Sequence, residues 1–393
     1  MPPRTRIVLA GSVLILVIAI VVAAGRGGAA PLRLPSGRLT WSATPLGYES
    51  GHDGQFIARA VSGSAYVLFQ KSPGGVIATA ARVARWRSDI DAAAAGSGID
   101  PNLLEGLVFL ESAGDPNALA GPNAADAAGL TQILAQTGSS LLGMRINLAE
   151  SRKLTTEIDA AYSAGNPALV TRLQRQRARI DARFNPPLSL RATVRYLKLA
   201  ERDLGGREDL AFVSYHSGIG NLQHVLGLYD GGHAVPYAQL YFDIFPNHNG
   251  AAYNLLSSLG DDSSLYWWRV LGAVQIMHLY ETDRAGLQSL VHAVLAPVKM
   301  TTGPFSPVAR DVLAELQHTV SALWSGHVAL QVASEGGLTF SIWRRYASYT
   351  QAVAFQAVLD RLQALALINW KRASSRILIV VAPDAARYLV SGP

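Results

Sequence analysis

The feature that most constrains the fold is a long stretch in which apolar residues recur at helical spacing. It begins near Val76, runs through residues 81–86 and continues with few interruptions to about residue 295. Apolar side chains three and four residues apart lie on one face of an α-helix, and a neighbouring helix has to cover them. Residues 71–300 are therefore predicted to form a mainly α domain of packed helices.

One predicted helix in this stretch ends in an acid. Asp100 can cap its N-terminus, and Pro101 can occupy its first position, where no backbone N–H is needed. The apolar run of residues 103–110 leads to Glu111, and residues 114–116, Gly-Asp-Pro, then stop the helix. An apolar setting penalises the charged form of a carboxyl and raises its pKa, which suits a general acid near neutral pH. The alternative for a lone Glu is a solvated helix end.

Two further motifs follow this acid. Residues 127–133 read Ala-Ala-Gly-Leu-Thr-Gln-Ile, and residues 211–218 read Ala-Phe-Val-Ser-Tyr-His-Ser-Gly. With the pair Glu111 and Ser112, they resemble the soluble lytic transglycosylase family of peptidoglycan-cleaving enzymes. In that family a Glu-Ser pair ends the first core helix, a Gly-Leu-Met-Gln-Ile/Leu element follows, and an Ala-x-x-x-Tyr-Asn-x-Gly element closes the site. Three short matches in the family's order are more specific than any one of them alone.

The resemblance covers about residues 75–230 and departs from the family pattern at two positions. Thr131 stands in place of Met in the second element, and His216 stands in place of Asn in the third. A His at this position adds a group that titrates near neutral pH and changes how an N-acetyl group would be held. For this region the resemblance implies a lysozyme-like helical domain.

The resemblance also implies a set of site residues. Glu111 is the implied catalytic acid, and the implied substrate-binding residues are Ser112, Gly129, Gln132, Tyr215 and His216. A Gln side chain can exchange hydrogen bonds with an acetamido group, and a Tyr hydroxyl can reach the catalytic carboxyl. Taken alone, Gln132 would be a helix-surface amide, Tyr215 a core aromatic and Gly129 a turn residue.

The expected reaction depends on how many carboxylates take part. The family cleaves the MurNAc-GlcNAc bond with one glutamate and leaves a 1,6-anhydro-MurNAc end, so the resemblance implies that Glu111 acts alone. A lysozyme-type muramidase would use water and a second carboxylate. Asp126 suits that role better than Asp115, because the Gly-Asp-Pro-Asn context of Asp115 predicts an Asx turn. A third alternative is a non-catalytic module that binds peptidoglycan, although a binding groove needs no desolvated acid.

The first thirty residues predict where the protein works. Residues 7–24 form an almost unbroken apolar stretch, about long enough to span a bilayer as a helix. Arg4 and Arg6 precede it, which favours a cytoplasmic N-terminus and an extracytoplasmic remainder. Residues 1–30 are therefore predicted to anchor the chain in the cell membrane by a single helix, with a cleaved signal peptide and secretion as the alternative. Residues 31–70, rich in Pro and Gly, are predicted to be a linker.

Composition excludes other chemistries. The chain has no Cys, so a thiol nucleophile, a disulfide and a Cys-ligated metal are excluded. Its nine His residues are scattered, and the glycine motifs of nucleotide-binding proteins are absent. We therefore expect no cofactor and no metal. Peptidoglycan glycan strands are the expected partner, and nucleic acid is not expected for an exported chain.

Residues 145–184 are a basic segment, longer than expected for the family, that is predicted to be a helical insertion. Residues 145–200 carry eleven Lys or Arg against four acids, whereas the rest of the chain is close to neutral. Such a run is usually a solvated helix face. The alternative is a surface that grips anionic wall polymers or lipid headgroups.

The last part of the chain, residues 301–393, has a different pattern. β-branched and alternating segments predict strands, and helical spacing predicts helices between them. The predicted strands are residues 328–332, 338–342 and 377–381, and the predicted helices are residues 307–323 and 351–365. This pattern predicts a small α+β domain of unknown role.

Overall fold

A computed structural model describes residues 64–244 and 248–295 of the chain. It also describes shorter pieces, which are residues 48, 57, 60, 61, 331–332, 339–343, 359–360, 368–373 and 376–381. The predicted membrane helix within residues 1–30 lies outside these residues. In the part that is described, no helix combines the length and the apolar character needed to cross a bilayer.

The chain divides into two compact units. The first consists of Lys71–Ala211 and Ile276–Leu287, and the second contains Phe212–Gln275 with the described residues before Lys71 and after Leu287. Helices account for most of the described residues up to Leu295. The predicted mainly α fold is therefore confirmed.

The helices of the described chain are α1 to α14. The first seven are α1 (Tyr66–Lys71), α2 (Val76–Val83), α3 (Arg87–Ala94), α4 (Pro101–Ser112), α5 (Leu148–Ser163), α6 (Pro167–Ile180) and α7 (Pro186–Asp203). The other seven are α8 (Glu208–Ser217), α9 (Ile219–Asp230), α10 (Tyr237–Asp243), α11 (Gly250–Ser258), α12 (Asp261–Ser264), α13 (Tyr266–Thr282) and α14 (Arg284–Leu295). Short turns of 3₁₀ helix at Ala84–Trp86 and Ala182–Phe184 and of π-helix at Thr137–Leu141 lie between them.

Helix α4, which carries Glu111, begins and ends where the sequence predicted. The Asp100 carboxylate accepts a hydrogen bond from Asn102 N at 2.8 Å, and Pro101 fills the first helical position. At the other end Ala113 has a φ of 53°, a left-handed value that stops the helix. The apolar residues between these ends are buried almost without exception, and this packing, more than helix propensity, stabilises the helix.

Helices α5 and α6 form a hairpin, the basic hairpin, with a small core of its own. Leu154, Ile158 and Ala161 of α5 pack with Val170 and Leu173 of α6. Each helix is capped by an Asn side chain that accepts a hydrogen bond from a backbone N–H in the first turn. The segment predicted as a basic helical insertion is therefore a folded pair of helices.

A buried ion pair joins the end of the basic hairpin to the loop of residues 113–136, which follows α4. Arg183 and Asp181 are fully buried, with Nε to Oδ1 at 3.0 Å and Nη2 to Oδ2 at 2.7 Å. Arg183 also donates from Nη1 to Asp126 O and from Nη2 to Ala124 O, both at 2.8 Å. One guanidinium thus holds the hairpin and the loop together.

A second buried arginine, Arg177, ties α6 to the same loop. Its guanidinium donates to Thr155 Oγ1 at 2.9 Å and to Asn117 Oδ1 at 3.1 Å, and it lies 3.7 Å from the centroid of the Phe184 ring. Burial lowers the pKa of Arg177 to about 10. Arg177 and Arg183 are structural cations, so neither reading of the basic run, as a solvated face or as a grip, applies to these two residues.

The predicted linker of residues 31–70 is too long at its C-terminal end. Helix α1 occupies that end, and Val67, Leu68 and Phe69 are buried. The Pro and Gly residues on which the prediction depended all lie before residue 55, whereas the apolar residues after it need a covered position.

The second unit has an aromatic core. Trp268 of α13 is fully buried, and its ring centroid lies 5.4 Å from that of Tyr237, 5.7 Å from that of Tyr241 and 6.1 Å from that of Phe242. The Tyr237 hydroxyl donates to Ser264 O at 2.6 Å. Helices α10 and α13 are therefore held by aromatic rings in tilted and edge-to-face contact, and the buried Tyr237 phenol has a hydrogen-bond partner.

Four strands near the C-terminus form one antiparallel sheet. They are β1 (Gln331–Val332), β2 (Thr339–Trp343), β3 (Ile368–Ala373) and β4 (Arg376–Val381), in the order β1-β2-β4-β3. Ile379 of β4 lies opposite Phe340 on one side and Trp370 on the other. Three of these strands match predicted ones, whereas β3 was missed. The helix predicted at residues 307–323 lies outside the described residues, so the α+β domain stays a prediction.

Candidate active site

The C-terminal end of α4, where Glu111 lies, is braced by α2 and the turn after it. Arg82 Nε donates to Ala113 O at 3.0 Å, and Trp86 Nε1 donates to Gly114 O at 2.9 Å. A Cβ on Gly114 would lie 2.8 Å from backbone atoms of α2, so the two segments touch. The bond to Ala113 O satisfies a carbonyl that the helix end leaves without an intrahelical partner. Both bonds fix the backbone directly after the acid-bearing turn.

Glu111 is half-buried in the last turn of α4. The next residue, Ser112, is buried, and its Oγ donates to Leu130 O at 2.7 Å. This bond attaches the acid-bearing turn to the part of the loop that contains Gly129 and Gln132. The hydroxyl of Ser112 therefore positions neighbouring backbone, and its contact with substrate stays a prediction.

Gln132 has an unusual backbone for a residue with a side chain. Its φ is 50°, in the left-handed region, where residues other than Gly are uncommon and strained. The side chain is almost buried, and Nε2 donates to Gly129 O at 2.8 Å and to Ala118 O at 3.2 Å. Because Nε2 uses both of its hydrogens within the loop, Oε1 is the side-chain atom that could accept a hydrogen bond from an N–H group of a ligand.

Gly129 is placed against protein backbone. Its φ is 82°, and a Cβ at this position would lie 1.8 Å from Arg183 O. The sequence suggested close approach to a ligand or a simple turn as reasons for a glycine here. The structure gives a third reason. The loop at Gly129 packs directly against the backbone of Arg183, whose guanidinium also donates hydrogen bonds to this loop.

The first two acids after Glu111 in the sequence are engaged in turns. Asp115 Oδ1 accepts a hydrogen bond from Asn117 N at 2.8 Å, which confirms the predicted Asx turn. Asp126 Oδ2 accepts one from Asn123 N at 3.1 Å. Across the described part of the chain, no group of three or more His, Asp or Glu side chains is arranged to hold a metal ion.

Tyr215 and His216 lie in the last turn of α8 and belong to the second unit, whereas the other predicted site residues belong to the first. Nδ1 of His216 lies 2.9 Å from Ser263 Oγ, and its ring centroid lies 5.4 Å from that of Tyr266. Although its surface is partly open to solvent, packing against these groups desolvates the ring and lowers its pKa. His216 is therefore mainly neutral at pH 7.

One buried acid near the site was not singled out by the sequence. Glu105, on α4, is 2% exposed, and its Oε2 accepts from Arg87 Nη1 at 3.1 Å. Among the described residues its Oε1 has no hydrogen-bond partner. Burial raises the pKa of Glu105 to about 7, with Arg87 opposing the shift and Glu281 adding to it. Its position inside the apolar run of residues 103–110 was the feature of the sequence that could have indicated a buried acid.

Comparison with known proteins identifies the domain. Residues 88–175 match the sequence model of the family described as Transglycosylase SLT domain. A search of curated proteins finds no match. The matched residues include Glu111, Ser112, Gly129 and Gln132 and end before the third motif.

The predicted resemblance is therefore confirmed, and the chain carries a domain of the SLT transglycosylase family. Enzymes with this domain are peptidoglycan lytic transglycosylases. The chain is an enzyme of that class.

The contact between Gly129 and Arg183 predicts that adding a single methyl group at position 129 strongly destabilises the fold. In Gly129→Ala the new Cβ would overlap Arg183 O, so we expect overpacking and left-handed strain to lower the free energy of unfolding by roughly 3 kcal/mol. Gly143→Ala is the matched control, because Gly143 has a φ of 63° and a Cβ added there would have no atom within 4 Å. Only strain, about 1 kcal/mol, is expected there. Equal losses in urea denaturation would contradict the contact.

Glu105 predicts a pH dependence of stability. Folding raises its pKa from 4.5 to about 7, so between these values the folded state binds more protons than the unfolded state. The stabilisation that comes from this proton binding is complete below about pH 4.5 and is lost as the pH rises through about 7. We expect the thermal midpoint of Glu105→Gln to fall less than that of the wild type between about pH 5 and pH 8. Parallel curves for the two proteins would refute this.

Proposed function

We propose that Glu111 acts as the single catalytic acid and base in cleaving the MurNAc-GlcNAc bond of peptidoglycan, and that the new end is 1,6-anhydro-MurNAc. The observation that supports one-acid chemistry is the setting of the neighbouring carboxylates. Glu111 lies at the braced end of α4, whereas Asp115 and Asp126 each accept a backbone N–H within their own turns.

The proposed reaction balances without an added nucleophile. The Glu111 carboxyl gives its proton to the glycosidic oxygen as the bond between this oxygen and C1 of MurNAc breaks. The carboxylate then takes the proton of the 6-hydroxyl of the same MurNAc while O6 bonds to C1. Glu111 ends as it began, and no water is consumed. Because both steps use one carboxyl, its placement matters more than any second charge.

Other site residues are proposed to hold the sugar. Gln132 Oε1 suits an acetamido N–H, because Nε2 is occupied within the loop. A neutral His216 offers one donor and one acceptor where the family has an Asn amide, so it can also hydrogen-bond an N-acetyl group. Tyr215 is proposed to bind the substrate. Gly129 and Ser112 are proposed to act by keeping the loop and α4 in place.

The alternative of a muramidase is less well supported. Water as nucleophile requires a second carboxylate to activate it, and Asp126 is the candidate. One of its oxygens is hydrogen-bonded to the loop backbone, and this bond would have to coexist with a bound water. A module that only binds glycan would not explain an acid at a braced helix end.

We place the enzyme on the outer side of the cell membrane. The support is the sequence of residues 7–24, an apolar stretch after Arg4 and Arg6 that is about long enough for one membrane span. Secretion after signal cleavage is the alternative. An anionic wall polymer is proposed as a further partner, because α6 exposes arginines and carries no acid.

The Glu111→Gln variant should lose cleavage of purified peptidoglycan by about a hundredfold or more, because the near-isosteric amide cannot donate or accept the transferred proton. Mass spectrometry of released muropeptides should find wild-type products one water lighter than hydrolysed ones. Undiminished cleavage by Glu111→Gln would falsify the assignment.

Asp126→Asn is the matched control, since an amide oxygen can still accept the hydrogen bond from Asn123 N. We expect this variant to retain activity. Loss of activity in Asp126→Asn together with reducing ends in the wild-type product would instead support the muramidase.

The intact protein should sediment with membranes, and removal of residues 1–30 should release it into the soluble fraction. Fractionation with N-terminal sequencing of the mature chain checks this. A mature chain that starts near Gly25 and is found in the medium would show that the apolar stretch is a cleaved signal.

A further inference from the structure

Helix α6 of the basic hairpin presents a row of exposed cations, the arginine stripe, which consists of Arg172, Arg175 and Arg179. These residues are spaced three and four apart, so they lie along one side of the helix. The opposite side packs into the hairpin core through Val170 and Leu173. Within the described residues, none of the three guanidiniums has an ion-pair or hydrogen-bond partner.

The neighbouring helix α7 has a similar row of cations that is largely neutralised. Arg195 donates to Leu142 O at 2.6 Å, Lys198 pairs with Glu201, and Arg202 pairs with Asp203 at 3.2 Å. Helix α6 contains no acidic residue. The stripe is therefore a concentrated positive surface, whereas the row on α7 is part of an ordinary mixed one.

The acids on α5, the other helix of the hairpin, do not neutralise the arginine stripe on α6. Glu150 of α5 is paired with Lys153 at 3.5 Å. Glu157 and Asp159 are also on α5, whose three acids against Arg152 and Lys153 give it a net charge of −1, whereas α6 has four arginines and no acid. The excess charge of the hairpin is thus that of α6.

The stripe is fixed relative to the domain that carries Glu111. Arg177, on the buried side of α6, bonds to Asn117 of the loop after α4. The end of the same helix leads into the ion pair of Asp181 and Arg183, which holds that loop. A ligand on the stripe would therefore be held at a set place on the catalytic domain.

We propose that the arginine stripe binds a linear phosphodiester polymer of the cell wall and thereby retains the enzyme on glycan that carries such a polymer. This proposal rests on the proposed action on peptidoglycan. Guanidinium groups bind phosphate oxygens through paired N–H donors and remain charged at any physiological pH. Three of them along about 10 Å of helix, at about 1.5 Å per residue, suit a ligand with repeated charges better than a single anion.

The test measures binding of the full-length chain, held in nanodiscs of zwitterionic lipid, to poly(glycerol phosphate) as a soluble probe. The stripe variant combines Arg172→Gln, Arg175→Gln and Arg179→Gln. It should lose about tenfold or more in affinity at low salt, and the slope of log affinity against log salt should fall by about two.

The control variant combines Arg191→Gln, Lys198→Gln and Arg202→Gln, which removes the same charge from α7. It should bind the polymer nearly as well as the wild type. Release of muropeptides from polymer-free peptidoglycan should be equal in the stripe variant and the wild type. That assay fails for the wild type only if the proposed reaction is wrong, so the two proposals fail separately.

Three results would overturn this proposal. If both variants lost the same affinity for the polymer, the cause would be the overall charge of the chain and not the arginine stripe. If the stripe variant bound the polymer as tightly as the wild type, the stripe would not be the binding surface. Polymer binding that disappears when the nanodiscs contain anionic phospholipid would assign the three arginines to lipid headgroups instead.

Discussion

The surroundings of Glu111 depend on the buried ion pair of Arg183 and Asp181. Removing both charges from water costs several kcal/mol per ion, and the pair is stable only if its hydrogen bonds are complete. Here the guanidinium bonds to the carboxylate twice and to the carbonyls of Ala124 and Asp126, while Ser151 donates to the same carboxylate. Loss of one partner would leave an unpaired buried charge, typically about 3–5 kcal/mol less stable.

Features set by local chemistry could be predicted from the sequence. The limits of α4 follow from Asp100, Pro101 and the residues after Ser112, and the turn at Asp115 follows from its Asx context. The order of the motifs was sufficient to identify the family before any geometry was known. For the limits of α4 and for the Asp115 turn, the physical cause lies within a few residues of the feature, so a single sequence contains it.

Features set by contacts between distant residues could not be predicted. The sequence does not distinguish Arg177 and Arg183, which are buried, from Arg179, which is exposed, because their partners are Asn117, Ala124 and Asp126, more than fifty residues away. Gly129 was expected to bind substrate or to form a turn, whereas the structure requires a glycine there because the carbonyl of Arg183 leaves no room for a Cβ. Strand β3 was missed because Asn369, Lys371 and Arg372 make its sequence too polar to stand out.

The way the loop rests on residue 183 has a consequence for how this domain can change. The basic hairpin resembles an insertion that could be removed as a unit, because it has its own small core and a short connection between its helices. The turn directly after the hairpin nevertheless supports Gly129 through the carbonyl of Arg183, and Arg177 of α6 also donates a hydrogen bond to Asn117. Evolution or protein engineering can therefore remodel the exposed connection at residues 163–165. Excising the hairpin at its base would also remove the support of the loop beside the catalytic helix.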